Sequence, residues 1–480
     1  MPYLDRFVRF AATLLWTSLL IGFLALAAIG EKLNPALSAA KPMANLADVV
    51  GTGLAVTGAF MGKAIAAALL PALVAGALAG WRRGSLPDRL LSLPALLLAG
   101  APVTAISLVA VWVCLVNKWS VFQASGQWVA ALLFFPWLAL AVRDGVAGAR
   151  ADGRWQRHRT ALAVLGRLLQ QSGNLLAIQL VLEPFWMVKG GLSYALLRGV
   201  QDARPLMTGL ALVTGAALWL HLAGDLLVTA THREQVAPSR PSRTWLATGA
   251  LLTAVLVAAA LLSWETPTVD VVHRNQGPTA EHLLGTDFSG RDVAAQLAAG
   301  ARKSLGYAGA AAGIALAAGL MLGALGARTG PIGAAILTPR VPAPSLLGAF
   351  LWSFVAYGTQ NLGAWLVVVI LAIGALPALA HAARRTFASA PGERWRTART
   401  LLAGTALVAL GQTLTVELMQ IPARTLEPAG TLGRVIYSVS LGAGKGANMI
   451  LAAAFITAGV AGLMVLGFAL RDAAGTEVGG

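Results

Sequence analysis

The chain consists of apolar runs of about 20 residues separated by short polar stretches. Runs of that length satisfy their backbone inside lipid only as helices. Twelve such segments are predicted, at 10–29, 59–81, 92–116, 128–142, 161–182, 205–231, 246–263, 306–326, 343–357, 362–382, 401–420 and 447–470. The stretches 128–142 and 343–357 are short for a span and require tilt or neighbouring helices. The expected fold is therefore an all-α polytopic membrane protein of about twelve transmembrane helices.

Composition agrees. Charged residues are 12% of the chain, against about 25% in soluble proteins. Hydrophobic residues are 57%, and mean hydropathy is +0.72. These values exclude a disordered chain and argue against a soluble enzyme. Net charge is +16, which in a soluble protein would suggest nucleic acid. Here the basic residues follow orientation instead. With the N-terminus inside, Lys and Arg are about twice as dense in the inside loops as in the outside ones, as the positive-inside rule requires. Arg6 and Arg9 precede the first run, which reads as an uncleaved first helix. Both termini are expected in the cytoplasm, with the chain crossing the membrane several times. The single Cys114 forbids a disulfide within the chain, and the six histidines show no metal-ligand spacing, so no metal site is expected. No Walker spacing occurs. GAGKGAN (442–448) has a Lys among glycines but lacks the required pattern, so the chain is assigned no cofactor and no ATP site.

The order of features repeats. Residues 1–235 and 246–480 each hold six predicted helices, joined by a polar cytoplasmic linker at 236–245. Each half has a short inside turn (81–91 and 326–340) and a proline-bearing helix (Pro102; Pro342 and Pro344). An arginine-rich inside loop follows (143–160 and 384–400), then an outer-end acidic residue, Glu183 or Glu417. A parallel repeat of this kind is a transporter device, with the pathway between the halves. Gly153 and Gly392 could end a short amphipathic helix in each basic loop, which would dock on a soluble partner; a solvated anchoring loop is the alternative.

The segment HLLGTDFSGRDVAAQLAAGARKSL (282–305) resembles the signature before the second helix of the C-type permease of dipeptide, oligopeptide and nickel ABC importers. The matching positions include His282, Gly285, Thr286, Asp287, Gly290, Arg291, Asp292, Gly300 and Arg302. RRGSLPDRLLSLPALLLAGAP (82–102) and GARADG (148–153) resemble the B-type partner. The resemblance implies a natural fusion of both permeases in one polypeptide. It implies cytoplasmic ABC ATPase subunits, carrying ATP and Mg, on loops that contain Ala149, Arg150, Ala151, Gly153, Arg154, Gly392, Glu393 and Arg394. It also implies a periplasmic or extracellular solute-binding protein on the outer face. Substrates would be short peptides, peptide-like compounds or chelated nickel. Two rivals stay open: a twelve-helix secondary transporter driven by an ion gradient, and a diverged scaffold that keeps the fold without transporting.

Individual residues carry further expectations. Gly285, Thr286 and Asp287 should form a turn with an Asx-type or N-cap hydrogen bond that starts a helix bearing Arg291 and Asp292, with Asp287 and Arg291 four apart and able to pair. Glu183 and Glu417 could meet a cationic group in the pathway, or simply sit at the water boundary. Asp225, one turn from His221, reads as an interhelical hydrogen bond or a proton relay. Trp81, Trp119, Trp128, Trp155, Trp186 and Trp245 read as interface anchors. The pairs Gly309/Gly313 and Gly319/Gly323 suit close helix packing.

Overall fold

A computed structural model describes residues 7–8, 10–12, 14, 46–117, 122–150, 157–186, 188, 191–192, 203–231, 242–262, 268–338, 364–418, 430–441 and 446–473. The protein is an all-α membrane protein. The N-terminal half contributes α1 (Leu46–Trp81), α2 (Leu86–Ala99), α3 (Val103–Val116), α4 (Phe122–Arg150), α5 (Arg157–Gln170), α6 (Ser172–Phe185) and α7 (Ala203–Thr231). The C-terminal half contributes α8 (Arg243–Leu261), α9 (Val293–Arg328), α10 (Pro331–Leu337) and α11 (Ala364–Ala388). After these come α12 (Arg394–Thr397), a π turn (Ala398–Leu402), α13 (Ala403–Leu418), α14 (Leu432–Leu441) and α15 (Gly446–Ala473). Among the described residues, five helices are long and apolar enough to cross a membrane, or six if the α2–α3 pair counts as one broken span.

Several expected spans take another form. The segment 92–116 is not one rod: α2 and α3 meet at an 87° bend. Pro102 lacks the N–H that would continue the ladder, and it occupies the N-cap position of α3. The segment 161–182 is divided at Gln171 into α5 and α6. The short run 128–142 is the middle of the 29-residue α4, so no mismatch arises there. The run 343–357, most of 10–29, Trp119 and Trp155 lie outside the described residues.

Each half is organised on one long, close helix pair. In the N-terminal half α1 packs along α4, and in the C-terminal half α9 packs along α11. Apolar burial drives little association inside lipid, so van der Waals fit and small residues decide the contact. Gly76 lies against Ala139 and Val142, and Gly80 against Arg143 and Val146. Gly319 lies against Leu379 and Ala380, and Gly323 against Ala383 and Arg384. A Cβ at Gly80 would stand 2.4 Å from the Arg143 carbonyl oxygen, so no side chain fits. The expectation for Gly319 and Gly323 holds. Gly309 and Gly313, on the same helix, have nothing within 4 Å among the described residues.

The halves meet through α15, which packs on α8 and α13 of its own half and on α2 and α3 of the other. Gly100, at the bend, is the tight point: a Cβ there would lie 2.6 Å from the Cα of Ala461. A small apolar cluster of Leu96, Trp245, Val465 and Ala469 also joins the halves. Trp245 and Trp186 are both buried rather than at an interface, whereas Trp81 and Trp128 are exposed.

Candidate functional site

The signature segment folds into an extramembrane collar before α9. Its hydrogen bonds are local and dense. The Asp287 carboxylate accepts from the backbone N–H groups of Ser289 (2.8 Å) and Arg291 (2.9 Å) and from Gln296 Nε2 (3.0 Å). Asp292, not Asp287, caps the helix, with Oδ1 accepting from Ala295 N at 2.8 Å. The expected helix through Arg291 and Asp292 is therefore corrected: α9 starts at Val293, and Asp287 binds backbone rather than the Arg291 guanidinium. The physical reason lies in two left-handed glycines, Gly285 (φ 76°) and Gly290 (φ 81°), which turn the chain before a helix can begin. Thr286 donates to the His273 carbonyl and accepts from Gln276 N. Asn448, the last residue of the Lys–Gly stretch, donates to the carbonyls of Gln276 (2.7 Å) and Thr286 (3.0 Å), fastening the collar to α15. Gly300 packs on α14, and Arg302 donates to the carbonyls of Ala260 (3.0 Å) and Leu262 (2.6 Å), capping the end of α8.

The collar carries two histidine–aspartate pairs. His282 Nδ1 lies 2.8 Å from Asp292 Oδ2, and His273 Nδ1 lies 2.6 Å from Asp270 Oδ2. The hydrogen bond that His273 donates to the Asp270 carboxylate raises His273 above its ordinary value of 6.5. In return, the hydrogen bond from His273, then that from Val272 N–H, holds Asp270 below 3.8. What His273 contributes is present below 6.5 and is lost as pH rises through its higher folded value. What Asp270 contributes is present above 3.8 and is lost as pH falls through its lower folded value. Histidine-detected NMR is expected to place His273 above 6.5, and Asp270→Asn to bring it down; an unmoved titration would refute the pairing.

Beyond α1, the turn at 82–85 and α2 hold Asp88, which is 1% exposed, against Arg143, which is 4% exposed. Arg143 Nε donates to Asp88 Oδ1 at 2.6 Å and Nη2 to Oδ2 at 3.1 Å. Ser92 Oγ and the Gly84 N–H also donate to that carboxylate. The Arg143 guanidinium lies 5.5 Å from the ring centre of Trp245, on the first helix of the other half. This node was not read from the sequence. Its partners are 55 positions apart, so no helical or strand period connects them.

The remaining candidates divide. Glu183 is not at the water boundary but buried, accepting from Thr57 Oγ1 and from Gln179 Nε2 (3.2 Å). Thr57 accepts in turn from Leu192 N at 2.8 Å, so α1, α6 and the chain beyond α6 close around one carboxylate. Glu417 lies near the end of α13. Asp225 Oδ1 accepts from Gln170 Nε2 at 2.9 Å across the α5–α7 contact, as an interhelical hydrogen bond. Gly166 and Gly224 form the crossing beneath it. Of the basic loops, Ala149 and Arg150 end α4, while Ala151, Gly153 and Arg154 lie outside the described residues. In the second loop, residues 389–393 make a turn, and the short helix that follows, α12, runs on through the π turn into α13. Gly392, Glu393 and Arg394 are exposed, and Arg394 Nε donates to the Ser389 carbonyl.

A cleft opens between the halves at the α2–α3 bend. It is lined by Ala99, Ala101 and Val103 at the bend, Leu133 and Trp137 of α4, and Met464 of α15. Asn174 of α6 and Gln412 and Thr415 of α13 supply its polar side chains. The sequence offered a signal for these, lone carboxamides within apolar runs, but that signal does not say that they converge.

No protein-family profile matches the chain. Over 134 residues it is 31% identical to proteins of Brucella abortus biovar 1, Brucella suis biovar 1 and Brucella melitensis biotype 1 whose names call them peptide permeases. The match covers 28% of this chain and 44% of each relative, so the chain spans less than half the length of those relatives. The similarity supports kinship with peptide permeases.

Proposed function

We propose that this chain is the transmembrane permease of an ABC importer, with a B-type and a C-type half fused in one polypeptide of the bacterial inner membrane. One observation carries the reading: the same device occurs once in each half. A long helix rests two glycines, four residues apart, on the helix that leads into that half's arginine-rich loop. Gly80 touches Arg143 and Gly323 touches Arg384, each in the C-terminal part of the helix that leads toward the loop. Motion of a loop would thus reach the long helix of its half directly, and the halves would rock about the α15 contact. The resemblance in the collar and the similarity to peptide permeases add the substrate class: short peptides, peptide-like compounds or chelated nickel. Separate cytoplasmic ATPase subunits would bind ATP and Mg, and a solute-binding protein would meet the outer face.

A second reading, a permease fold that no longer couples to an ATPase, is favoured by the short turn at 389–393. One experiment separates the two. The full chain, isolated from its native membranes in mild detergent, is expected to bring down nucleotide-hydrolysing subunits, identified by mass spectrometry. The Arg394→Glu/Arg396→Glu variant is expected to lose them while its thermal unfolding stays unchanged. Isolation without any such subunit favours the second reading and ends the first. Uptake driven by a proton gradient without nucleotide would establish a secondary transporter instead.

A further inference from the structure

The collar brings together two histidines whose places in the sequence show no metal-ligand spacing. His273 and His282 have ring centres 6.2 Å apart, with the ring planes inclined at 51°. We infer that this pair binds one transition-metal ion of the Zn²⁺, Ni²⁺ or Cu²⁺ class, held through Nε2 of both rings. The inference goes beyond the importer reading and does not depend on it.

The two rings are mounted alike. Asp270 divides its carboxylate: Oδ1 accepts from the Val272 N–H at 2.9 Å, and Oδ2 lies 2.6 Å from His273 Nδ1. Asp292 does the same: Oδ1 accepts from the Ala295 N–H at 2.8 Å, and Oδ2 lies 2.8 Å from His282 Nδ1. A carboxylate anchored on backbone thus holds each ring by Nδ1 and leaves the lone pair on Nε2. Carboxylates placed this way orient metal-ligating imidazoles and raise their basicity. The backbone of each histidine is tied as well. Thr286 Oγ1 donates to the His273 carbonyl, and the His282 N–H donates to Thr279 Oγ1 at 3.0 Å.

The spacing suits a shared ion. A metal–nitrogen bond of about 2.0–2.1 Å, with just over about 1 Å from ring nitrogen to ring centre, puts each centre about 3.2 Å from the ion. Two rings on one ion therefore have centres at most about 6.4 Å apart, and about 5.2 Å apart at a tetrahedral angle. The observed 6.2 Å lies within the limit, and about 1 Å of side-chain movement reaches the tetrahedral case. The side chains are 44% and 23% exposed, so both have room for it. Inclined ring planes intersect, and an ion on that line lies in both planes; stacked rings offer no such line. Imidazole suits zinc, copper and nickel, whereas calcium and magnesium take oxygen ligands. Among the described residues no third His, Cys, Asp or Glu joins the pair, so water would fill the remaining positions. The bound ion would clasp the arm that carries Asp270 and His273 to the Asp292 cap of α9.

The test is calorimetric titration of Zn²⁺ into the full chain, tag-free, freed of metal with a chelator and held in phosphatidylcholine nanodiscs. Zinc is expected to bind at a single site. His273→Gln and His282→Gln are each expected to weaken it at least about tenfold, and Asp270→Asn, which keeps both ligands, by about tenfold. His158→Gln, at an exposed histidine of the other half, is expected to leave it unchanged. An unchanged thermal transition without metal is the folding control for each variant. Zinc is also expected to slow hydrogen exchange across 268–292 in the parent and not in His273→Gln. Absence of zinc binding overturns the inference, as does binding equally tight in both histidine variants, or calcium bound as tightly as zinc. None of these results depends on whether ATPase subunits come down with the chain, so failure here and failure of the importer reading are separable.

Discussion

Arg143→Met is expected to destabilise the protein by about 3–5 kcal/mol, the cost of removing one partner from a buried ion pair. The substitution keeps much of the side-chain volume and removes the charge. Among the described residues Asp88 would then retain the Ser92 hydroxyl and the Gly84 N–H, too little to solvate a carboxylate that is 1% exposed. Loss of the guanidinium from the Trp245 ring adds about 0.5–2 kcal/mol and loosens one of the contacts that join the halves. The double variant Asp88→Leu/Arg143→Met is expected to recover most of the loss, because a buried pair is costly to form and its apolar replacement is often neutral. Thermal unfolding of the purified protein in detergent measures both. A single variant as stable as the parent, or a double variant as weak as the single, would contradict the pairing.

Gly290→Ala is the second large effect. Gly290 has φ 81°, a conformation that costs a residue with a Cβ about 1–3 kcal/mol. Space makes the cost larger: the added Cβ would lie 1.6 Å from the Asp270 carbonyl oxygen, so the backbone at Asp270 must move. That displacement takes Asp270 from His273 and loosens the collar that Asn448 fastens to α15. Hydrogen exchange across 268–292 is expected to accelerate strongly, with a lowered unfolding temperature. Gly392→Ala is the matched control, since Gly392 has no atom within 4 Å and no left-handed φ. Its stability is expected to be unchanged, so any loss of ATPase binding there would report on docking alone. Unaltered exchange in Gly290→Ala would show that the collar is not held by this turn.

The readings that held were those that local chemistry enforces. Asp287 was expected to make an Asx-type hydrogen bond, and it makes two with backbone N–H groups. Asp225 was weighed as an interhelical hydrogen bond, and Gln170 supplies the donor. The readings that missed needed knowledge of a neighbour. Gly309 and Gly313 have the same spacing as Gly319 and Gly323, yet among the described residues only the second pair meets another helix. Trp186 and Trp245 carry the same composition signal as Trp81 and Trp128 but are buried, Trp245 in the apolar cluster that joins the halves. Arg143 reads as one more basic residue at the mouth of a loop until Asp88 is seen beside it.

Sequence by itself determined the solvent and the element type, since a long apolar run in lipid has no alternative to a helix. It also determined the turn chemistry of the collar, since left-handed glycines and a capping aspartate act over a few residues. Tertiary structure alone decided where the helices break, which glycines become crossings, and which polar side chains meet in the cleft. Those outcomes depend on which helix faces which, and inside lipid that choice is made by close packing between distant segments rather than by the hydrophobic pattern of any one of them.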